Sequence, residues 1–253
     1  MSKLPPVINV LGCSWSRNGC SNVYPFKMNH TMSWSEMLAL DMKHEYRVRN
    51  WSMNGNSNNM ILAQTERILR DFQDEDHIMI IQFTRPMRQT FAKDFETISN
   101  HTDQNNTVRS GHSDLWDYDY KQIPYANRYD WDWNELGFVT AIPSLLDKPH
   151  NQLAKTYEQN LLHLVDVSKI SETLHTEAIQ RHCKLLCERA GVPYVIYSHV
   201  DAPEADNSHL DFIAHRDWND MEDYWIDTGC HLGAEGNRIL LDKFIKPCML
   251  TKI

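Results

Sequence analysis

The sequence predicts a three-layer α/β/α protein built on a mostly parallel β-sheet, and three observations carry that prediction. Strand-like and helix-like segments alternate along the chain, which is the pattern of a sheet covered on both faces. The clearest strand runs, Val7 to Leu11 and His77 to Phe83, are apolar over most of their length instead of alternating, as expected for strands buried on two sides. Ser14 and the stretch Gln82 to Arg85 fall at their carboxyl ends, where such sheets bind ligands.

Taken in order, Val7 to Leu11 forms the first strand and turns at Gly12. Ser33 to Met42 reads as a helix, with Ser33 as N-cap, Glu36 three residues on, and Trp34, Met37, Leu38 and Leu40 as its packing face. Tyr46 to Trp51 is a short strand running into the Asn-rich turn MNGNSNN, after which a helix is expected from about Asn58 to Phe72. His77 to Phe83 is the third strand, closed by Pro86. From Asn100 to His150 neither period survives, and this aromatic-rich stretch is expected to be an insertion outside the sheet. Thr156 to Ala190 is helical, with Leu174, Ala178, Ile179, Leu185 and Leu186 as its apolar stripe and Gly191 with Pro193 as its stop. Val192 to Ser198 is a fourth strand, and a final helix beginning just after His231 carries Ile239, Leu240 and Phe244 before Pro247.

At 253 residues, with 42% hydrophobic and 23% charged residues and no Gly/Ser/Pro-rich linker, residues 1–253 are expected to be one domain. A formal charge of -9 and an isoelectric point near 5.8 argue against nucleic acid, whose affinity comes from clustered Lys and Arg. The start MSKLPPVINVLG lacks the long apolar core of a signal peptide, and no run approaches the roughly 18 apolar residues of a bilayer span. The expectation is a soluble protein of cytoplasmic synthesis without a membrane partner. Cys13, Cys20, Cys183, Cys187, Cys230 and Cys248 are then expected to be reduced thiols, Cys183 and Cys187 facing a core. No Cys-x-x-Cys or His-Glu-x-x-His spacing points to a metal, and no cofactor is expected.

The chemistry centres on Ser14. A serine set directly behind a strand in a tight turn can lift its hydroxyl above the sheet edge, although a serine there also serves as a helix N-cap. A hydroxyl needs an imidazole to take its proton, and the imidazole needs a partner to hold its tautomer. Asp227 and His231, four apart and just before the last helix, offer both. The segment LWDYDYKQIPYANRYDWDW could supply flat faces and carboxylates for sugars, or equally a packing or oligomer surface.

These residues, in this order, resemble the SGNH (GDSL-like) hydrolases, a flavodoxin-like fold. GCSW resembles the first block with Ser14 as nucleophile, SWSEMLAL the helix after it, NWSMNGNSNN the second block with Gly55, and DTGCHLGAEGNRILLD the last block with Asp227 and His231. The resemblance implies a Ser14–His231–Asp227 triad and an oxyanion hole from the backbone N–H groups of Ser14 and Gly55 with help from Thr84. Trp15, Gln82, Arg85 and Arg88 are then the residues expected to meet substrate. Two positions depart from the family pattern. The third block, Gly-x-Asn-Asp in the family, reads QFTR here with Thr84 at the Asn position, and the Asp-to-His spacing is four instead of three. The Gln-Phe-Thr-x-x-x-Arg variant resembles SGNH-like proteins of tailed phages. The activity implied is hydrolysis of small acyl esters, including O-acetyl groups of carbohydrates. The alternative from another class is a non-catalytic SGNH-fold module, a virion component or glycan-binding protein, and a homo-oligomer is compatible with either.

Overall fold

A computed structural model describes residues 5–17, 32–52, 56–84, 89–92, 126–128, 138–141, 169–200, 205–225 and 231–253, with backbone alone for 14, 17, 89–92, 126–128, 138–141 and 169–172. Strand β1 (Val7–Leu11) is buried along its whole length and lies between β2 (Arg47–Asn50) and β3 (His77–Phe83), parallel to both. In register, Ile8 stands beside Val48 on one side and Ile78 on the other. Beyond β3 come β7 (Tyr194–Ser198) and β8 (Phe212–Ile213), and beyond β2 comes β5 (Ala126–Arg128), giving a six-stranded parallel sheet in the order β5-β2-β1-β3-β7-β8. A separate antiparallel pair joins β4 (Gln89–Ala92) to β6 (Phe138–Ala141).

Two cores follow from the period of two along the central strands. Ile8, Val10, Ile78, Ile80, Val195 and Tyr197 face α2 (Trp34–Asp41) and the C-terminal helices, meeting Trp34, Leu38, Leu240 and Ile245. Leu11, Met79, Ile81, Phe83 and Ile196 face the other way, onto α3 (Asn58–Asp71) and α4 (Lys169–Ala190), through Ile61, Ile68, Ile179, Cys183 and Cys187. After a short helix α5 (Ala214–Asp217), the C-terminal layer starts with α6 (Ala234–Leu240) and continues through a π-helical turn, Leu241–Ile245, into α7 (Lys246–Leu250). Both faces of the sheet are therefore dry, and the three-layer α/β/α prediction is the observed fold.

The helix starts are set by local chemistry. Ser33 and Glu36 form a reciprocal capping box at α2, in which the Ser33 backbone N–H donates to Glu36 Oε2 at 2.7 Å and the Glu36 N–H to Ser33 Oγ at 3.4 Å. Ser57 caps α3 by accepting from the Met60 N–H at 3.2 Å. Gly191, at φ 65°, ends α4: its N–H donates to the Glu188 carbonyl and the Val192 N–H to that of Cys187, at 3.1 and 3.0 Å, which closes a Schellman motif.

Three expectations change. The stretch from 100 to 150 is not wholly outside the sheet, because Ala126–Arg128 adds its edge strand and Phe138–Ala141 pairs with β4. Strands of three and four residues are too short to display a period, and their place is set by backbone pairing with distant chain. On α4 the buried stripe is Thr173, Thr176, Ile179, Gln180, Cys183 and Cys187, whereas Leu174 and Leu185 are 57% and 42% exposed. The inward face is thus rotated from the one that aliphatic spacing alone suggests, with Cys and Thr filling it. Strand β8 also joins the sheet with only two residues, below what a sequence pattern can show.

Among the described residues no helix is long and apolar enough to cross a membrane. Burial pushes the thiols of Cys183 and Cys187 up, the latter to about 12, so neither forms a thiolate at neutral pH. In native protein an aromatic disulfide reagent should leave both unmodified and should reach them only upon unfolding, as peptide mass analysis will show.

His77, at the start of β3, is buried, and desolvation by that burial holds its pKa below the ordinary histidine value against the raising effect of Glu75. The unfolded chain therefore takes up the proton first, so stability is complete above about pH 6.5 and falls as the pH drops below it. The urea midpoint of wild type should decline between pH 7.5 and 5.5, and His77→Gln should show a shallower decline. An equal slope in the variant would remove His77 as its source.

Candidate active site

The strand order reverses at β1. The β1-to-β2 connection passes over one face through α2 and the β2-to-β3 connection over the other through α3. The carboxyl ends of β1 and β3 therefore form the topological switch point, the place where doubly wound sheets bind ligands. Gly12 and Cys13 leave β1 there, and the short helix α1 (Ser14–Arg17) begins at Ser14 itself, with the Ser16 N–H donating to the Cys13 carbonyl at 3.1 Å.

The floor beneath the Ser14 turn is Gln82, 0% exposed near the end of β3. Its Oε1 accepts from the Cys13 backbone N–H at 3.2 Å and the Ser16 hydroxyl at 2.7 Å. At the other end of the amide, Nε2 lies 3.2 Å from Cys13 Sγ, 3.3 Å from the Phe83 carbonyl and 3.0 Å from His199 Nδ1. His199 follows β7, is 4% exposed, also places Nδ1 3.0 Å from the Phe83 carbonyl, and packs its ring on Trp15 with centroids 4.7 Å apart. Burial pushes the phenol of Tyr197 far up, so this group beneath the turn stays neutral and is no base.

The Asn-rich loop after β2 braces both strand ends. Asn56 Nδ2 donates to the Gly12 carbonyl at 3.0 Å and to Gln64 Oε1 at 3.1 Å, and Gln64 Nε2 donates to the Trp51 carbonyl at 3.0 Å. Asn58 grips Thr84 twice: its Oδ1 accepts the Thr84 N–H at 2.9 Å and its Nδ2 donates to the Thr84 carbonyl at 3.1 Å. The other wall is the first turn of α2. Ser35 Oγ donates to the Ser16 carbonyl at 2.6 Å, joined there by Asn50 Nδ2 at 2.9 Å. The next contact leads to the C-terminal segment: the Trp34 N–H donates to Asn237 Oδ1 at 3.3 Å, while Asn237 Nδ2 donates to the Leu232 and Gly233 carbonyls at 3.0 and 3.1 Å. Leu232 is further held in a bridge to Trp225.

Half-buried His231 precedes Leu232, whose carbonyl is tied through Asn237 to the first turn of α2, the turn that also holds the Ser16 carbonyl. Gly55, Arg85, Arg88 and Asp227 lie outside the described residues, as do Cys20 and Cys230. Thr84 is 1% exposed, with its N–H given to Asn58 and its hydroxyl inside the protein without a partner among the described residues. Gln82 and Trp15, expected to meet substrate, are instead buried under the Ser14 turn, because a side chain leaving β3 or α1 on this face points into the first core. Among the described residues no group of three or more His, Cys, Asp and Glu has metal-binding spacing.

Sequence reasoning missed His199, Asn56 and Asn58. The strand-end rule contained a signal for the first, since His199 directly follows β7, and the run of asparagines after β2 contained one for the other two.

The sequence matches no family model and no curated protein. Among solved structures, the crystal structure of TesA is similar to this chain at 11% identity, over 98% of this chain and 99% of that one, with a TM-score of 0.35.

The Asn58 clamp has a measurable consequence. Asn58→Leu leaves the Thr84 N–H buried without an acceptor, a loss worth about 1 to 3 kcal/mol, so chemical unfolding should shift to lower denaturant by that amount. An unchanged midpoint would show that the Thr84 backbone finds another partner.

Proposed function

We propose that the chain is a serine esterase of the SGNH type acting on small acyl esters. The observation that carries this reading is the placement of Ser14 as the first residue of a helix at the switch point of a parallel sheet. A second observation supports it: His231 sits three residues ahead of a C-terminal helix tied by Asn237 to the helix turn that also holds Ser16.

In the proposed reaction His231 accepts the Ser14 hydroxyl proton as Oγ bonds to the acyl carbon, and Asp227 orients the imidazole. His231 returns that proton to the departing alcohol, leaving an acyl-Ser14 ester. Water, deprotonated in turn by His231, attacks that ester, releasing the acid and restoring Ser14. The backbone N–H groups of Ser14 and Gly55 serve the oxyanion. Thr84, with its N–H held by Asn58 and its hydroxyl enclosed, adds less than the family's Asn side chain, whose loss typically lowers rates by about 100- to 1000-fold. Acetylated carbohydrate is the substrate class we infer from the Trp, Tyr and Asp residues of Leu115 to Trp133, which suit stacking on sugar rings. The same Thr84 geometry favours a second reading, a non-catalytic SGNH-fold module of a virion, in which the fold outlasts the chemistry.

Hydrolysis of p-nitrophenyl acetate should rise with pH through roughly 6 to 7, as the base becomes neutral. Ser14→Ala should abolish it, and adding His231→Ala should cost little more, because nucleophile and base act as one unit. Folded wild-type protein without Ser14-dependent hydrolysis across a panel of acetyl esters, acetylated sugars included, would favour the module.

A further inference from the structure

We propose that Gln82 is the positioning residue of the Ser14 turn, its buried amide oxygen holding the backbone on both sides of the nucleophile. The inference rests on the esterase reading and extends it to a residue with no contact to substrate.

Gln82 follows four apolar residues in a strand at the centre of the sheet and is completely enclosed. A primary amide taken out of water is costly unless its hydrogen-bonding groups are matched. Here the matching also fixes which end is which. The Cys13 backbone N–H and the Ser16 hydroxyl converge on one atom, and a backbone N–H can only donate, so that atom is the oxygen. The nitrogen then faces acceptors, Cys13 Sγ and the Phe83 carbonyl, and meets His199 Nδ1 at 3.0 Å. Cys13 precedes Ser14 and Ser16 follows it by two, so one oxygen anchors the turn before and after the nucleophile.

Gly12 shows that the backbone is shaped to this amide. A Cβ at Gly12 would lie 2.6 Å from Gln82 Oε1 and 2.7 Å from Ser16 Oγ, closer than real Cβ contacts come. The glycine ahead of Ser14 is thus needed for the approach of Gln82, and any side chain there would push the amide off the turn. Because displacements of about 1 Å can cost on the order of a hundredfold in rate, an anchor of this kind acts on catalysis without touching substrate.

Two near-isosteric replacements separate anchoring from space filling. Gln82→Met fills the volume and removes the acceptor, whereas Gln82→Glu keeps acceptor oxygen for both donors and places a costlier group in the core. The rate of Ser14 labelling by a fluorophosphonate, kcat and KM on p-nitrophenyl acetate, and thermal unfolding are measured for each. We expect Gln82→Met to slow labelling and kcat on the order of tenfold with KM changed less than about threefold, and Gln82→Glu to recover most of that rate without exceeding Gln82→Met in Tm. Gly12→Ala should resemble Gln82→Met, and the double variant should be no slower than Gly12→Ala alone. If Gln82→Met does not fold, Ser16→Ala, which removes one donor to the same oxygen, should lower kcat with KM unchanged. Gln82→Met as fast as wild type, or faster than Gln82→Glu, overturns the proposal while the esterase reading stands; for the Ser16 variant an unchanged kcat does the same. Absence of Ser14-dependent labelling in wild type overturns the esterase reading, and the proposal with it.

Discussion

The amide of Gln82 is the contact on which the architecture of the carboxyl edge depends. It lies inside a sheet covered on both faces, where an unpartnered polar group is costly, and its partners come from three separate pieces of chain: the turn after β1, the end of β3 and the residue after β7. Removing water from the sheet is what makes the contact specific. In solvent the same amide could exchange partners at little cost, whereas in the core a misplaced donor would remain unpaired. The close approach of Gly12 is the geometric consequence.

From that floor the site is assembled by short polar side chains that bind backbone. Asn56 holds the Gly12 carbonyl, Asn58 both backbone groups of Thr84, Ser35 the Ser16 carbonyl, and Asn237 the carbonyls of Leu232 and Gly233. Each of these residues sits at or within four residues of a helix start. Helix starts gather at this edge because every β-to-α connection in a parallel sheet emerges there. The helix caps and clamps thus do two things at once, satisfying the exposed ends of helices and bracing the loops that would carry the proposed chemistry.

The third block is where fold and chemistry part. In the resemblance to the SGNH hydrolases, Gln82 stands at the position of a glycine and Thr84 at that of an asparagine. The structure relates the two changes to the interior: the Gln82 amide reaches beneath the Ser14 turn, and Thr84 is drawn against Asn58 by its backbone. A strand end built this way is rigid, but its hydrogen-bonding groups are directed into the protein. In the proposed reaction a firmly held turn would favour Ser14, while the inward direction of the third block would take a donor from the oxyanion hole.

Much of the frame is determined by local sequence. Buried central strands, Ser33 with Glu36 as a capping box, Ser57 as a cap and Gly191 as a helix stop are properties of a few adjacent residues, since each satisfies or ends a hydrogen-bonding pattern within its own turn. The location of Ser14 and His231 at element boundaries has the same origin. What tertiary structure alone decided is everything that joins residues far apart in the chain: the six-stranded order, the edge strand Ala126–Arg128, the face that α4 turns inward, and the polar network of Gln82 with Cys13, Ser16 and His199. The spacing of Cys183 and Cys187 places both in the core, but an aliphatic count could not reveal that Leu174 and Leu185 stay outside it, because burial depends on the neighbours a helix meets and not on its own hydrophobicity. Nor could it distinguish a glutamine that meets substrate from one that supports the turn, since the same amide serves either purpose and only the direction of its strand face settles which.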